Sequence, residues 1–566
     1  MEYIVFALMI FAFLALIMLK GFLDERKRKK EFIRWLRNNY GTLPKREEYS
    51  QEELEKISHY FKAHKTGDFQ IDDITWNDLN MDNIFKQLNY TYSAAGEEYL
   101  YYLLRTPMQD TDKIDALEKH VGYFMENAEQ RVKFQTYFAQ IGKTGKYSIY
   151  DYLNYLDLLG ERDNRKHFLS ILAMILSVMI MFLSVQMGIL LLIAVITRNI
   201  VTYFKDKNEI EPYITSFAYI FRLLKNVGDM EKLPAEAFEE EMEELKACHK
   251  KLSKFSAGSY IIMSPARMNA SGNPLELLLD YIRMVFHLDL IKFNNMLAEV
   301  RKNIDAIDRM LTIIGYMETT IAIGAYRVSR ERYCLPEFDR TKGLKLENVY
   351  HPLIANPVKN SIMTERGVLL TGSNASGKST FLKTVAINAI LAQTIHTCLA
   401  DSYSGALYRI MSSMALRDDL AGGDSYYIVE IKSLKRILNA ADKDGNPILC
   451  FVDEVLRGTN TVERIAASTQ ILKSLSGMKV ICFAATHDIE LTQLLEREYN
   501  NYHFEEEIID NDVVFNYQLK KGRATTRNAI KLLRVMGYEE KIIQEAETLA
   551  GNFLRSGIWM SKTEAV

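Results

Sequence analysis

The feature that most constrains the fold is a glycine-rich loop between a strand pattern and a helix pattern. Residues 372–380 read Gly-Ser-Asn-Ala-Ser-Gly-Lys-Ser-Thr; the apolar run Gly-Val-Leu-Leu-Thr precedes them, and the helical pattern Phe-Leu-Lys-Thr-Val-Ala follows them. The loop satisfies GxxxxGK[ST]. Its glycines let backbone N–H groups turn inward around phosphates, and the helix N-terminus adds its dipole. The sequence therefore predicts an α/β domain with a phosphate-binding loop at a strand end.

Every residue of this loop is a candidate for nucleotide binding. The side chain of Lys378 would reach the β- and γ-phosphates and act in catalysis, while the hydroxyl of Ser379 would ligate Mg²⁺. ATP and Mg²⁺ are therefore the predicted cofactors. The residues that would surround the phosphates are Gly372, Ser373, Asn374, Ala375, Ser376, Gly377, Lys378, Ser379 and Thr380.

Two later strand patterns end in polar residues suited to phosphoryl chemistry. The run Ile-Leu-Cys-Phe-Val ends in Asp453 and Glu454. An aspartate there would hold Mg²⁺, and the glutamate would polarise the attacking water. A further strand, residues 479–485, leads to His487, which would hydrogen-bond the γ-phosphate as a third catalytic residue. The alternative for His487 is an ordinary histidine at a strand end.

A long apolar run at the start of the chain predicts a membrane anchor. Residues 3–19 are 17 consecutive apolar residues, and the basic residues 26–30 follow them. A helix of this length roughly spans a hydrocarbon layer of about 30 Å. The basic run is expected on the cytoplasmic side. A cleaved signal peptide is the alternative, but it would have a basic start and a small-residue cleavage site. The predicted transmembrane anchor covers residues 1–23.

A second apolar stretch predicts a transmembrane helical hairpin over residues 167–204. The apolar residues run from Phe168 to Phe204 and are interrupted at Gln186-Met187-Gly188, where a tight turn is expected. Basic residues flank both ends, so both ends are expected in the cytoplasm. The alternative is a buried helical hairpin in a soluble core. Together the two regions predict three passes through the cell membrane, with most of the protein in the cytoplasm.

The rest of the chain divides by its patterns into helical and α/β parts. Residues 24–166 and 205–335 have helical periodicity, and the short apolar runs of an α/β domain extend from 336 to 550. Residues 551–566 are the predicted tail. The net charge of −3 argues against a generic polyanion binder. The five cysteines are scattered along the chain and include no CxxC pair, so the sequence predicts neither a disulfide framework nor a zinc site.

These motifs together resemble those of the MutS family of ATPases, which are related to the ABC type. The glycine-rich loop is close to GPNMGGKST. Residues 453–461 are similar to DExGRGTST, and residues 485–487 match Ala-Thr-His. Residues 417–420 and 423–430 are similar to the segment DDL…GxSTFMVE. The resemblance covers roughly residues 210–550.

The resemblance implies a helical lever domain at 205–335 and an ATPase domain at 336–550 that ends in a helix-turn-helix used for dimerisation. In such a dimer Ser425 would contact the nucleotide bound by the other subunit. By analogy Tyr517 would stack on adenine. The resemblance also implies DNA as a partner.

Departures from the family pattern limit what can be transferred. Leu456 replaces a glycine, Ser373 replaces a proline, and Tyr426-Tyr427 replaces Thr-Phe. No convincing Phe-x-Glu segment lies in the N-terminal half. Recognition of DNA mismatches by a wedged aromatic ring is therefore not expected here.

The function predicted from the sequence is a membrane-anchored, MutS-like ATPase. It would hydrolyse ATP in a homodimeric nucleotide sandwich, coupled to DNA binding, and it would lack the mismatch-reading domain. Two alternatives stay open. One is an ABC-type membrane transporter component, which would have more passes and an LSGGQ-like loop. The other is a membrane scaffold with an inactive ATP site.

Overall fold

The secondary structure is that of a largely helical chain with a C-terminal α/β part. The computed structural model describes residues 2–44, 48–65, 69–145, 147–151, 160–256, 281–339, 343–373, 376–414, 426–509, 512–524, 530, 533–534, 536–557 and 559. Within these ranges the helices are α1 (Glu2–Asn39), α2 (Gln51–Ile57), α3 (His59–Ala63), α4 (Asp73–Asp78), α5 (Met81–Leu88), α6 (Ala94–Arg105), α7 (Thr111–Glu126), α8 (Ala128–Ile141), α9 (Arg165–Met181), α10 (Val185–Met230), α11 (Glu239–Lys251), α12 (Ser253–Ser256), α13 (Leu288–Lys302), α14 (Ile304–Val328), α15 (Lys378–Ile395), α16 (Tyr426–Ala441), α17 (Thr461–Ser476), α18 (Ile489–Leu494) and α19 (Glu540–Ser556).

The strands found in the described part of the chain all lie after residue 336. They are β1 (Glu337–Phe338), β2 (Leu344–Val349), β3 (Asn360–Thr364), β4 (Gly367–Thr371), β5 (Ser402–Gly405), β6 (Arg409–Ser413), β7 (Ile448–Asp453), β8 (Val480–Ala485), β9 (Tyr499–His503), β10 (Glu506–Ile509), β11 (Asp512–Phe515) and β12 (Lys520–Lys521).

The chain forms two compact units. The helical unit comprises Met1–Lys65, Gln87–Tyr102 and Glu118–Ser329, and the sheet unit comprises Thr66–Lys86, Leu103–Leu117 and Arg330–Val566. Two N-terminal segments that the sequence patterns assign to the helical region 24–166 therefore belong to the unit that contains the glycine-rich loop. Their own pattern is helical, and their assignment to the sheet unit comes from long-range packing.

The sheet unit is built on a six-stranded, mainly parallel sheet in the order β12-β9-β4-β8-β7-β6. Every residue of β4 is buried, as are the first five residues of β7. Such continuous burial explains why these strands are unbroken apolar runs, since helices cover both faces of a parallel sheet. The predicted α/β class is confirmed. Because parallel strands end at one edge, residues that follow β4, β7 and β8 lie together there.

Tight glycine contacts and buried aromatic rings hold the helical unit together. A Cβ on Gly315 of α14 would lie 2.6 Å from the carbonyl oxygen of Ala95, so α14 and α6 approach each other closely. Glu318, one turn further along, accepts hydrogen bonds from the backbone N–H groups of Tyr92 and Ser93 just before α6. Burial raises the pKa of Glu318 to about 7. Tyrosines of this region, among them Tyr60, Tyr99 and Tyr102, pack in or against its core.

Helices α9 and α10 form an antiparallel pair with many exposed apolar side chains. Their turn covers residues 182–184, four residues before the turn expected from the sequence. Gly188 lies in the second helix, where a Cβ would be 2.3 Å from the Met181 Cγ, so this glycine serves close helix packing rather than the turn. Among the described residues, Val185–Glu211 is the one segment long and apolar enough to cross a membrane.

The C-terminal helix continues past the predicted start of the tail. α19 extends to Ser556, whereas the tail was predicted from residue 551. Part of the expected helix-turn-helix, residues 525–529, 531–532 and 535, lies outside the described residues.

Candidate active site

The glycine-rich loop connects β4 to α15 as the sequence predicts. Gly372 has φ 146° and Gly377 has φ 106°, both in the region that favours glycine. A Cβ on Gly372 would lie 2.8 Å from the carbonyl oxygen of Phe504 and 2.9 Å from the Ser376 hydroxyl oxygen. The loop therefore has no room for larger residues at its first position. Asn374 and Ala375 lie outside the described residues.

Lys378 is the first residue of α15, and its side chain turns back into the loop. Its Nζ donates hydrogen bonds to the carbonyl oxygens of Gly372 (2.8 Å) and Ser373 (2.7 Å). The side chain is buried, and this burial lowers the pKa of Lys378, while nearby carboxylates oppose the shift. The ammonium group is thus held on the concave side of the loop. The buried hydroxyl of Ser376 has no hydrogen-bond partner among the described residues, so the loop offers both a cation and a polar group to a phosphate.

Ser379 and Asp453 form the predicted metal pair. The side chain of Ser379 hydrogen-bonds the carboxylate of Asp453, although the two residues come from different elements. Burial raises the pKa of Asp453, and the hydrogen bond from Ser379 opposes this rise. Among the described residues no group of three or more His, Cys, Asp or Glu side chains could hold a metal ion. One hydroxyl and one carboxylate suit Mg²⁺, which takes its remaining ligands from phosphate and water.

Glu454 is held in place by two basic side chains. Its Oε1 lies 3.0 Å from the His487 Nε2, and its Oε2 lies 2.8 Å from the Arg457 Nη1. Its backbone N–H donates to the carbonyl oxygen of Ala485, which ties the end of β7 to the end of β8. Burial lowers the pKa of His487, and the neighbouring Lys378 lowers it further. A neutral His487 can therefore donate its Nε2–H to Glu454.

The backbone after Glu454 has a strained conformation at a residue where the related motif has glycine. Leu456 has φ 56°, a conformation that costs about 1–2 kcal/mol for a residue with a Cβ. Its side chain is buried, and such burial contributes about 1.5–3 kcal/mol, enough to offset that strain. The carboxylate of Glu430, a buried residue of α16, accepts a hydrogen bond from the Leu456 N–H. The sequence analysis did not identify Glu430 as a site residue.

A cavity of about 460 Å³ extends from the loop to the segment between β2 and β3. The predicted residues Ser373, Ser376, Gly377, Lys378, Ser379, Thr380, Glu454 and Tyr517 all line it. The Tyr517 ring lies beside the loop, with Cδ1 3.1 Å from the position of a Cβ on Gly377. The stacking of Tyr517 on adenine stays a prediction.

No role in the site was predicted from the sequence for the opposite wall of this cavity, which is formed by His351, Ile354, Asn356, Pro357, Val358 and Asn360. The Asn360 side-chain amide donates to the carbonyl oxygen of Tyr517 (3.0 Å), so the two walls are joined. Burial lowers the pKa of His351 to about 4, which keeps the imidazole neutral. The motif His351-Pro352 is the sequence signal for this wall, because it comes just after the strand pattern of β2.

A smaller cavity of about 150 Å³ lies on the other side of Glu454, bounded also by Arg457, Arg464, His487 and Asp488. Arg464 donates two hydrogen bonds, of 2.8 and 2.6 Å, to the carboxylate of Asp488. These bonds fix the first turn of α17 against the loop that carries His487. Ser425 and residues 417–420 lie outside the described residues, so their predicted contacts stay predictions.

A buried parallel sheet with this loop, a hydroxyl–carboxylate pair and a second carboxylate at one strand edge defines a P-loop nucleotide-binding domain. The family model for MutS domain V matches residues 368–553. This part of the chain is therefore similar to domain V of MutS proteins.

Several curated proteins are similar to the chain over a little less than half of its length. The DNA mismatch repair protein MutS of Aquifex pyrophilus is 32% identical over 271 residues, which are 45% of the chain and 31% of that protein. The MutS of Natronomonas pharaonis is 28% identical over 277 residues, 47% of the chain and 32% of that protein. The human MutS protein homolog 4 is 27% identical over 294 residues, 48% of the chain and 31% of that protein. The chain thus spans about a third of the length of these relatives.

Proposed function

We propose that the chain is a membrane-anchored, MutS-like ATPase that works as a homodimer and couples ATP hydrolysis to DNA binding. The observation that carries the ATPase part is the arrangement around Glu454. This carboxylate is fixed by His487 and Arg457 at the strand edge that also holds the Ser379–Asp453 pair. A catalytic base needs this kind of restraint beside the reacting phosphate.

Each residue of the site has a separate role in phosphoryl transfer. Lys378 exchanges its two carbonyl partners for the β- and γ-phosphate oxygens, and the backbone N–H groups of the loop hold the phosphates. Ser379 and Asp453 would hold Mg²⁺, which would neutralise charge on the phosphates. Glu454 orients a water molecule and accepts its proton. His487, in its neutral form, keeps the Glu454 carboxylate in position through its Nε2–H.

The decisive test of the ATPase is the Glu454→Gln variant of the detergent-solubilised full chain. Removal of a general base costs roughly 10²–10⁴-fold in rate. We therefore expect turnover to fall by that factor while ATP binding is retained, because Lys378 and Ser379 are intact. Glu365→Gln, an exposed glutamate of the same unit, is the control and should match the wild type. A Glu454→Gln enzyme with the wild-type rate would show that Glu454 is not the base.

That the chain forms a homodimer and binds DNA is proposed from its similarity to MutS proteins. The relatives are named as DNA mismatch repair proteins, and Ser425 would complete the nucleotide site of a second copy. Glu454→Gln should accumulate a dimer with ATP and Mg²⁺, measurable by light scattering. Binding of duplex, mismatched and branched DNA with and without ATP, at stated salt, tests the partner. A monomer under saturating ATP would contradict the sandwich. Turnover stimulated by lipophilic substrates instead of DNA would favour a transporter component.

The membrane part of the proposal is a multi-pass protein of the cell membrane with most of its mass in the cytoplasm. It is supported by the apolar start of α1 and by the exposed apolar faces of α9 and α10. Large apolar side chains of the pair are more than half exposed at many positions, including Phe168, Leu169, Phe182, Leu183, Leu190 and Ile193. Exposed apolar surface of this extent is characteristic of contact with lipid or a partner. Resistance of the full chain to carbonate extraction tests it.

A further inference from the structure

A short N-terminal helix covers the outer edge of the six-stranded sheet. The strand β6 is the last of the described strands in the sheet order, and α4 packs against it. The hydroxyl of Thr75 accepts the Ser412 N–H (3.1 Å). The carboxylate of Asp78 accepts the Ser412 hydroxyl (2.6 Å) and the Met414 N–H (2.9 Å). Thr75 and Asp78 are fully buried, so these bonds replace water at an otherwise open edge.

The same segment also binds the helix α16. Asp72, the N-cap of α4, forms an ion pair with Arg436 of α16. Arg436 in addition donates to the carbonyl oxygen of Ser412. One short helix with its cap therefore fixes both the end of β6 and the middle of α16. We call Asp72, Thr75 and Asp78 the edge clamp.

Helix α16 continues from the edge clamp to the catalytic carboxylate. Glu430 lies on this helix six residues before Arg436, and its carboxylate accepts the N–H of Leu456, two residues after Glu454. An α-helix transmits displacement because its backbone hydrogen bonds keep the residues at a fixed rise of about 1.5 Å each. A shift of α16 at Arg436 is therefore expected at Glu430 and at the backbone that carries Glu454.

We propose that the edge clamp positions α16, and through Glu430 the carboxylate of Glu454, for hydrolysis of ATP. This inference rests on the proposed ATPase function. No clamp residue lines the 460 Å³ cavity, so the clamp would affect the rate of hydrolysis and leave nucleotide binding unchanged. Asp72, Thr75 and Asp78 are thus positioning residues. They lie more than 290 residues before the glycine-rich loop, in a part of the chain outside the family match.

The test compares Asp72→Asn and Asp78→Asn in the full-length, detergent-solubilised protein. Turnover is expressed per site that binds radiolabelled ATP, so that unfolded molecules do not contribute. A misplacement near 1 Å can cost on the order of 10²-fold, so we expect kcat to fall about 10- to 100-fold with the Kd for ATP changed less than about twofold. Asp72→Glu should restore part of the rate. Asp444→Asn, an exposed aspartate between α16 and β7, is the control and should match the wild type.

The outcomes separate the inference from the function on which it rests. A wild-type protein without turnover would contradict the ATPase itself. If the wild type hydrolyses ATP and both variants have the wild-type kcat, the edge-clamp proposal is wrong and the ATPase proposal stands. The same holds if the variants bind ATP more weakly but keep the wild-type kcat. Asp78 is fully buried, so its substitution can prevent folding. In that case Asp72→Asn decides, because the Asp72 side chain is 38% exposed. The double variant Asp72→Asn, Arg436→Gln should have a kcat no lower than that of the slower of the two single variants, Asp72→Asn and Arg436→Gln, if the ion pair acts as a unit.

Discussion

The nucleotide site and the α9–α10 helix pair use apolar residues in opposite ways. In β4 and β7 the apolar side chains are buried, and polar groups gather where these strands end. At the tip of the helix pair the apolar side chains of Phe182 and Leu183 are 88% and 89% exposed. Burial of apolar surface stabilises the sheet, whereas the described part of the chain leaves much of the apolar surface of the helix pair exposed. The comparison distinguishes a region that gathers polar groups from a region that presents apolar surface.

Of the effects expected from this comparison, the largest tests the proposed membrane role of the α9–α10 pair. An arginine at the centre of a membrane helix costs about 2.5–3.5 kcal/mol on insertion scales, on the order of 100-fold in the equilibrium. Ile193→Arg, at an exposed position in the middle of the apolar part of α10, should prevent insertion of the hairpin. A Phe182→Cys reporter at the tip, labelled in intact cells by a membrane-impermeant maleimide, measures insertion. We expect labelling in the otherwise wild-type chain and its loss in the Ile193→Arg chain.

The matched control for this substitution is Val201→Arg, which lies near Arg198 at the predicted cytoplasmic end, where a long basic side chain can reach the headgroups. Labelling of Phe182→Cys should persist there. A reporter that stays unlabelled in every background would contradict the hairpin and favour a buried or partner-covered helix pair. ATP turnover should be the same in all these variants if the helix pair and the glycine-rich loop act independently.

A smaller effect tests whether His351, in the wall of the 460 Å³ cavity, is shielded from water. Burial lowers the pKa of His351 to about 4 in the folded chain, whereas an unfolded histidine titrates near 6.5. The unfolded state therefore binds more protons in this range, and stability must fall as the pH drops from about 6.5 to 4. His351→Gln should remove roughly 2–3 kcal/mol of this acid sensitivity. Urea unfolding of both proteins between pH 7 and 4 measures it, and parallel pH curves would contradict a buried neutral His351.

The parts of the molecule that the sequence predicts are those encoded by short local patterns. The loop from Gly372 to Thr380 needs its glycines, and Asp453 and Glu454 follow an apolar strand, so strand ends alone bring them together. His487 was predicted for the same reason. By contrast, Asp78 contacts Ser412 across 334 residues, and no local pattern encodes such a contact. Gly188 shows the same limit, since a glycine between apolar runs indicates a turn and a close helix contact equally well.

The smallest expected effect concerns the charge around the glycine-rich loop. Glu506 is buried at the start of β10, and its carboxylate accepts a hydrogen bond from the Ser373 hydroxyl (2.8 Å). The same carboxylate lies near enough to Lys378 to favour the charged form of that ammonium. It therefore competes with the phosphates for Lys378 and repels them. Neither the loop motif nor the resemblance indicated an acidic group at this position.

Glu506→Gln keeps an oxygen that can accept the Ser373 hydroxyl and removes the negative charge. We expect ATP to bind about three- to tenfold more tightly, a change on the order of 1 kcal/mol, with kcat little changed because Glu454 is untouched. Glu505→Gln is the matched control, since the Glu505 carboxylate pairs with Lys520 and His503 rather than with the loop. Equilibrium binding of a fluorescent ATP analogue gives the affinities. Weaker binding in Glu506→Gln would mean that the carboxylate holds the loop in its binding conformation, and Ser373→Ala would then weaken binding as well.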